Sequence, residues 1–267
     1  MKKNVLAILF IVGWLSVNAQ DRLFTYTYQS GVLSKGQKEI EVWTTLRTIR
    51  EQYYKGLDHR MEFEIGLGVN LQTSFYLNYG YATGIVDNNG VSVLGNTNVY
   101  SFSNEWKLKL SDPAANAVGS ALYFEYLLSP VETELEGKLI FDRQSGSMMH
   151  ALNLTCEYEI EKQFPVLGNK ISDESEGEFK FEFNYALAFS VNNNMHIGVE
   201  ARNYNVLSNS SVWEYSVLSA GPCFSYKTDG FWINFTLMPQ IVNLKGGGLE
   251  LTENEKLQTR LIFSYGF

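Results

Sequence analysis

Apolar and polar residues alternate along most of the chain with a period of two. The longest example runs from Glu178 to Ser190, with a large apolar residue at every second position. Because alternate side chains of a strand share one face, this pattern predicts a strand with a continuous apolar face. Strands of soluble sandwiches usually run about five or six residues, so a tilted strand of about ten residues across an apolar band is favoured. That face carries Phe179, Phe181, Phe183, Tyr185, Leu187 and Phe189.

The same alternation recurs in segments that together predict about twelve strands. Short connections such as Val69-Asn70 fall on one side, and longer ones such as residues 83–97 and 243–253 fall on the other. This asymmetry is typical of outer-membrane barrels, and an even number of strands places both chain ends in the periplasm. The sequence therefore predicts an all-β fold, a closed antiparallel up-and-down transmembrane β-barrel of about twelve strands.

The first residues have the pattern of a secretory signal peptide. Lys2 and Lys3 precede a short apolar run from Val5 to Val12, and small residues end at Ala19 before Gln20. The alternative is a membrane anchor, but the run is too short to span about 30 Å of hydrocarbon. We expect cleavage near Ala19 and export of the mature chain to the bacterial outer membrane.

The last residues predict a final strand. Leu261, Phe263, Tyr265 and the terminal Phe267 alternate with Arg260, Ile262, Ser264 and Gly266. A chain that ends on such a strand with a terminal Phe resembles the C-terminal recognition signal of outer-membrane barrels. The resemblance implies outer-membrane lipid and the barrel-assembly machinery as partners.

The chain thus divides into a signal peptide at residues 1–19, a periplasmic lead-in at 20–36 and the barrel at 37–267. Two features depart from this simple scheme. The stretch from Leu23 to Gln29 is a further candidate strand, interpreted either as part of the lead-in or as a short arm tucked into the barrel. Trp43 falls on the polar face, where it lines a constriction or joins the aromatic girdle.

Composition narrows the range of partners. The net charge of −8 becomes −10 once the signal peptide, with Lys2 and Lys3, is removed. An acidic mature chain argues against nucleic-acid binding, which rests on contacts between basic residues and phosphate.

The polar faces of the strands supply the candidate lumen, which is rich in carboxylates. Such carboxylates select cations or bind a divalent metal in some proteins, whereas a solvated, salt-bridged interior is the simpler interpretation and the one favoured here. No cofactor or metal is assigned on this basis. The candidate lumen-lining residues are Glu39, Glu41, Arg47, Glu62, Glu64, Glu105, Lys107, Glu125, Glu134, Glu136, Lys138, Glu157, Glu159, Lys180, Glu182, Glu200 and Arg202.

Support for catalysis is weak. His150 follows Ser145 and Ser147, but a serine near a histidine in sequence is common by chance, and no nucleophile-elbow glycine motif occurs. We therefore expect a protein that is not an enzyme.

The segment from Gly31 to Gly36 leads into Glu39 to Thr45, followed by Arg60 to Leu67 and Leu71 to Leu77. These stretches resemble the N-terminal half of a family of uncharacterised bacterial outer-membrane β-barrel proteins, whose members carry a signal peptide. The resemblance implies a fold and a location but no activity. The expected role is a passive channel or transport-type barrel for small solutes. The alternatives are a structural or loop-displaying barrel without an open pore and, less favoured, a membrane-embedded hydrolase.

Overall fold

Fourteen strands account for the regular structure of the computed structural model, which describes residues 22–88, 90–163, 166–167, 170–171, 174–208 and 212–267. The predicted signal peptide lies outside these residues. The strands are β1 (Lys38–Thr48), β2 (Tyr54–Gly68), β3 (Leu71–Asn88), β4 (Val91–Ser111), β5 (Gly119–Leu128), β6 (Glu132–Ser145), β7 (Met148–Gln163), β8 (Val166–Leu167), β9 (Lys170–Ile171), β10 (Glu174–Ser190), β11 (Met195–Ser208), β12 (Val212–Lys227), β13 (Phe231–Asn243) and β14 (Leu257–Gly266).

Twelve of these strands close into a barrel, which confirms the predicted fold. Each barrel strand pairs antiparallel with its neighbours along the chain, and β1 pairs with β14 to close the ring. Closure gives every barrel strand two neighbours, although the outer part of β4, from Val91 to Ser101, pairs only with β3. The remaining strands, β8 and β9, form a small hairpin in the connection between β7 and β10.

The two ends of the barrel differ in their connections. At one end, here the turn end, β2 and β3 are joined by Val69 and Asn70 with φ angles of 54° and 60°. Positive φ at both central residues is the requirement of a tight type I′ hairpin turn. At the other end, here the loop end, residues 244–256 connect β13 to β14.

The hairpin of β3 and β4 is longer than its sequence indicates. The alternation predicts a loop at residues 83–97, but the pairing continues from Thr83↔Asn96 to Asn88↔Val91. Cross-strand polar pairs support this extension, since the Tyr81 hydroxyl donates to Asn96 Oδ1 at 3.1 Å. The stretch lacks a one-sided apolar face because it lies past the apolar band of the wall, so the period-two signal fades although the ladder persists.

The wall is apolar outside and polar inside, the reverse of a soluble protein. On β10, Phe183, Tyr185 and Phe189 are exposed, whereas Asn184 and Ala186 are buried. This is the arrangement of transmembrane barrels. Among the described residues, no helix has the length and apolar character needed to cross a membrane.

Residues 22–33 lie inside the barrel; we call them the N-terminal plug. From Arg22 to Ser30 every residue is buried. The chain turns into the lumen at the turn end, where Gly36 donates to the carbonyl of Gly66 at 2.8 Å. A Cβ at Gly66 would come within 2.1 Å of the Ser34 carbonyl oxygen, so only glycine allows this crossing. Of the two positions that the sequence left open for this stretch, the structure shows the tucked arm.

Candidate functional site

The plug is held by the carboxylate of Glu200, which projects inward from β11. Its oxygens accept hydrogen bonds from the backbone nitrogens of Thr25, Tyr26 and Thr27, each at 2.9 Å. The hydroxyl of Thr236 on β13 donates to the same carboxylate at 2.6 Å. An irregular segment has no ladder to satisfy its backbone donors, and a charged acceptor supplies the strongest replacement.

Other wall side chains complete the anchoring. Asn153 on β7 accepts from the backbone nitrogen of Tyr28 at 2.6 Å and donates to its carbonyl at 2.9 Å, as a neighbouring strand would. Asp142 on β6 accepts from the backbone nitrogen of Ser30 at 3.0 Å and from its hydroxyl at 2.7 Å. The plug is thus fastened by polar side chains from several strands.

Aromatic rings and cations pack the lumen at the level of the plug. The Arg22 guanidinium lies 4.2 Å from the ring centre of Tyr28 and 4.4 Å from that of Trp43. The Tyr28 ring also meets Tyr123 edge-on at 5.3 Å and receives the ammonium of Lys138 at 4.3 Å. Cation–π contacts of desolvated groups are worth about 2 kcal/mol. Trp43 therefore faces inward, where it packs with Tyr28 of the plug.

The plug lies between two cavities. A cavity of about 600 Å³ occupies the loop-end half, and Tyr26, Tyr28 and Trp43 form part of its lining. A second cavity of about 510 Å³ occupies the turn end, with Leu23 and Gln29 in its lining. The same short segment thus contributes one face to each cavity.

Charges in the loop-end cavity are unevenly distributed across the lumen. Arg47, Arg60 and Arg260 line it from β1, β2 and β14, whereas the carboxylates come mainly from β5 to β7. In the order of the ring, β6 lies six strands from β14 and therefore faces it. The separation is partial, because Lys138 and Lys180 lie among the carboxylates and Arg60 reaches Glu125 at 3.5 Å. The carboxylates of the acidic wall are Glu125, Glu132, Glu134, Glu136 and Glu157.

The candidate lumen residues fall into two sets on the inner wall. Those of the turn-end half are buried: Glu39, Glu41, Glu62, Glu64, Glu105, Lys107 and Glu200. Those of the loop-end half are Arg47, Glu125, Glu134, Glu136, Lys138, Glu157, Glu159, Lys180, Glu182 and Arg202, and all except Glu159 line the loop-end cavity.

Many of the loop-end charges pair with one another. Lys180 lies 2.9 Å from Glu157 and also contacts Glu159. Arg202 donates hydrogen bonds to Glu182 through two guanidinium nitrogens. Lys138 lies 3.0 Å from Glu136. The favoured interpretation of a salt-bridged interior thus describes this half of the lumen well.

Several residues that shape the lumen were absent from the candidate set. Arg60 lies two positions before Glu62 on the same face of β2, so the period of two contained the signal for it. Asp142 likewise continues the inner face of β6 from Lys138. Arg22 and Tyr28 carried no comparable signal, because their positions depend on where the plug folds.

Among the residues that the structure describes, two groups of carboxylates come close enough together to hold a metal ion. One consists of Glu41, Glu62 and Glu64 and is buried in the turn-end half. The other consists of Glu132, Glu134 and Glu159 and is partly exposed in the loop-end half.

The chain belongs to a family of unknown function (DUF6662), whose model matches residues 16–267. A comparison with curated protein sequences finds no match.

Solved structures of similar fold are bacterial outer-membrane barrels. The translocator domain of the autotransporter NalP from Neisseria meningitidis aligns with a TM-score of 0.57 at 11% identity, covering 89% of this chain and 90% of that one. The β domain of the Bordetella autotransporter BrkA gives a TM-score of 0.53 at 8% identity, covering 88% and 100%. The NanC porin gives 0.50 at 10% identity, covering 85% and 98%. At such identities the likeness establishes the fold.

Proposed function

We propose that this protein is an integral outer-membrane barrel of the transport type, closed at rest by its N-terminal plug and open to small hydrophilic solutes when the plug is displaced. The observation that carries the proposal is the position of the plug. A segment outside the ladder of the wall separates a cavity at the loop end from another at the turn end.

The proposed location rests on the two faces of the wall and on the chain ends. Exposed aromatic and aliphatic side chains cover the outside, where outer-membrane lipid would contact them. The predicted signal peptide would direct export, and the strand that ends at Phe267 would engage the barrel-assembly machinery. In the closed barrel the Phe267 nitrogen donates to the Lys38 carbonyl at 2.9 Å, which fastens this end to β1.

The loop-end cavity indicates the class of solute. Its volume of about 600 Å³ suits a small molecule. Arginines on one wall and carboxylates on the opposite wall would orient a solute that carries both charges, or a strong dipole, across the lumen. We therefore propose small polar or zwitterionic solutes. The proposal includes no enzymatic step. His150, the histidine that follows two serines in the sequence, lies on the outer face of the wall, where its Nδ1 is 2.9 Å from the Tyr185 hydroxyl.

Single-channel conductance in planar bilayers tests the proposal. The mature chain, residues 20–267, should insert and remain mostly closed. A variant that lacks residues 22–33 should show discrete, frequent conductance steps, because the plug is the element between the cavities. Heat-modifiable migration on gels verifies that both barrels are folded.

A synthetic peptide of residues 20–33 supplies the matched control. Added to the truncated barrel, it should restore closure, whereas a scrambled peptide of the same composition should not. A truncated barrel that is folded yet silent would contradict the transport role. That outcome would favour the structural barrel, for which the many hydrogen bonds between Glu200 and the plug are the supporting observation.

A further inference from the structure

Three carboxylates converge on the inner wall of the turn-end half. Glu41 of β1 lies directly opposite Glu62 of β2, and Glu64 follows on the same face of β2. One oxygen from each of the three lies within 4.8 Å of the others. All three side chains are buried, so water contributes little to screening the repulsion between them.

Three carboxylate oxygens in this region have no hydrogen-bond partner. They are Oε2 of Glu62, Oε2 of Glu64 and Oε1 of Glu105, and these residues are 1%, 5% and 1% exposed. Glu105 belongs to the same patch because Ser74 pairs with Glu64 on one side and with Glu105 on the other. Buried polar atoms nearly always have a partner, so the unpartnered oxygens of Glu62 and Glu64 inside the cluster, with that of Glu105 across β3, point to a bound ligand.

The protein's own cations do not satisfy these oxygens. Arg22 lies 3.7 Å from Oε2 of Glu41, and the Trp43 indole donates to that same oxygen at 2.6 Å. Within the described ranges, no Lys, Arg or His nitrogen lies within 4.0 Å of the carboxylates of Glu62, Glu64 or Glu105. Of the three clustered carboxylates, Glu41 alone has a cation in contact among the described residues.

The geometry points to calcium. Ca²⁺ takes about six to eight oxygen ligands in a flexible geometry and is often held by several protein carboxylates. Mg²⁺ demands a near-ideal octahedron, keeps several waters and is usually bound through only one or two carboxylates. Three buried carboxylates that converge in one group therefore suit calcium better than magnesium. Unpartnered oxygens and hard, flexible carboxylate ligands fit the same choice.

We propose that Glu41, Glu62 and Glu64, with Glu105 beside them, bind one calcium ion in the turn-end half of the barrel. The ion neutralises the carboxylates directly next to the contact between Arg22 and Glu41, and so stabilises the wall against which the plug packs. This site does not depend on the proposed transport role, because a permanently closed barrel would bind the ion equally well.

Terbium luminescence and thermal unfolding test the site in the refolded mature protein in detergent. Tb³⁺ replaces Ca²⁺ at oxygen sites, and Trp43 is placed to sensitise its emission because its indole contacts Glu41. We expect sensitised emission that excess Ca²⁺ removes and excess Mg²⁺ leaves largely intact. Saturating Ca²⁺ should raise the unfolding temperature by about 5 °C or more relative to chelator.

Two double variants with equal changes of charge separate this site from general binding to acidic residues. Glu62→Gln with Glu64→Gln should abolish both the emission and the calcium-dependent shift. Because amides replace mutually repelling acids, this barrel should still fold. Glu132→Gln with Glu134→Gln, in the partly exposed group, should leave the emission and the calcium-dependent shift unchanged. Glu159, the third carboxylate of that group, already forms an ion pair with Lys180.

Each other result overturns the proposal. Absence of emission and of a shift in the unmodified protein would mean that protons, rather than a metal ion, neutralise the cluster. Signals that survive in the Glu62 and Glu64 variant would place the ion elsewhere. Conductance measured on the same samples reports the transport role separately.

Discussion

The two halves of the lumen are built from the same strands but differ in how their inner faces are packed. In the turn-end half, Trp232, Ile140 and Ile262 are almost fully buried and the plug packs against the wall, which leaves a cavity of about 510 Å³ beyond the plug. In the loop-end half, charged side chains border an open cavity and pair with one another. Alternation in the wall therefore produces a polar inner face without deciding whether that face becomes a core or a pore.

Two carboxylates, Glu200 and Glu182, illustrate the difference between the halves. Glu200 is satisfied by backbone donors of the plug, which it fixes in place. Glu182 is satisfied by Arg202 from the adjacent strand, which leaves the space in front of it free. Glu200 therefore holds a chain segment inside the lumen, whereas the pair of Glu182 and Arg202 leaves the lumen in front of it open.

The largest effect is expected when the Glu200 carboxylate, which holds the plug in the turn-end half, is removed. Glu200→Ala removes a charged acceptor from three buried backbone donors, at a cost of about 3 kcal/mol or more to the closed state. Because about 1.4 kcal/mol is tenfold in an equilibrium constant, the open population should rise by about 100-fold. Single-channel recording measures the open fraction; a folded variant that stays closed would show that other contacts hold the plug.

A smaller effect in the same half is expected from Asp142→Asn. The amide keeps one acceptor for Ser30 but loses the charge, so the closed state should weaken by about 1 kcal/mol and the open fraction should rise about fivefold. The same recordings test this. An effect equal to that of Glu200→Ala would show that the plug is released as one cooperative unit.

In the loop-end half, Asp58→Asn should change stability by at most about 1 kcal/mol. Asp58 pairs with Arg47 at 2.7 Å, but both side chains are partly exposed and Arg47 keeps Glu255 at 3.3 Å. Urea unfolding followed by tryptophan fluorescence measures the change. A loss of several kcal/mol in the free energy of unfolding would mean that the loop-end half depends on its contacts as strongly as the turn-end half does.

The smallest effect is expected outside both halves, at the turn between β4 and β5. A hydrogen bond from the Ala114 nitrogen, and a second from Lys109, lower the pKa of Asp112. A lowered pKa means that the contribution to stability exists above the ordinary range of Asp and is lost as the pH falls through the lowered value. Since the Asp112 carboxyl is exposed, Asp112→Asn should alter stability by about 0.5 kcal/mol or less. The change should appear only at pH values above the ordinary pKa range of Asp, and unfolding titrations at several pH values measure it.

The wall of the barrel could be predicted from the pattern of residues along the chain. Period-two alternation is a local property that each strand carries, so the barrel, its inner and outer faces and most lumen residues could be predicted. Arg60 and Asp142 were within reach of the same rule.

How the lumen is filled depends on contacts that form only in the folded barrel. The contact between Thr25 and Glu200 joins residues 175 positions apart, and that between Ser30 and Asp142 joins residues 112 apart. No local pattern marks such pairs, because a plug without a ladder takes its position from side chains that the closed ring alone brings together. The same holds for Glu41, Glu62, Glu64 and Glu105: their inward direction follows from alternation, whereas the absence of partners for their oxygens follows from what the folded barrel places opposite them.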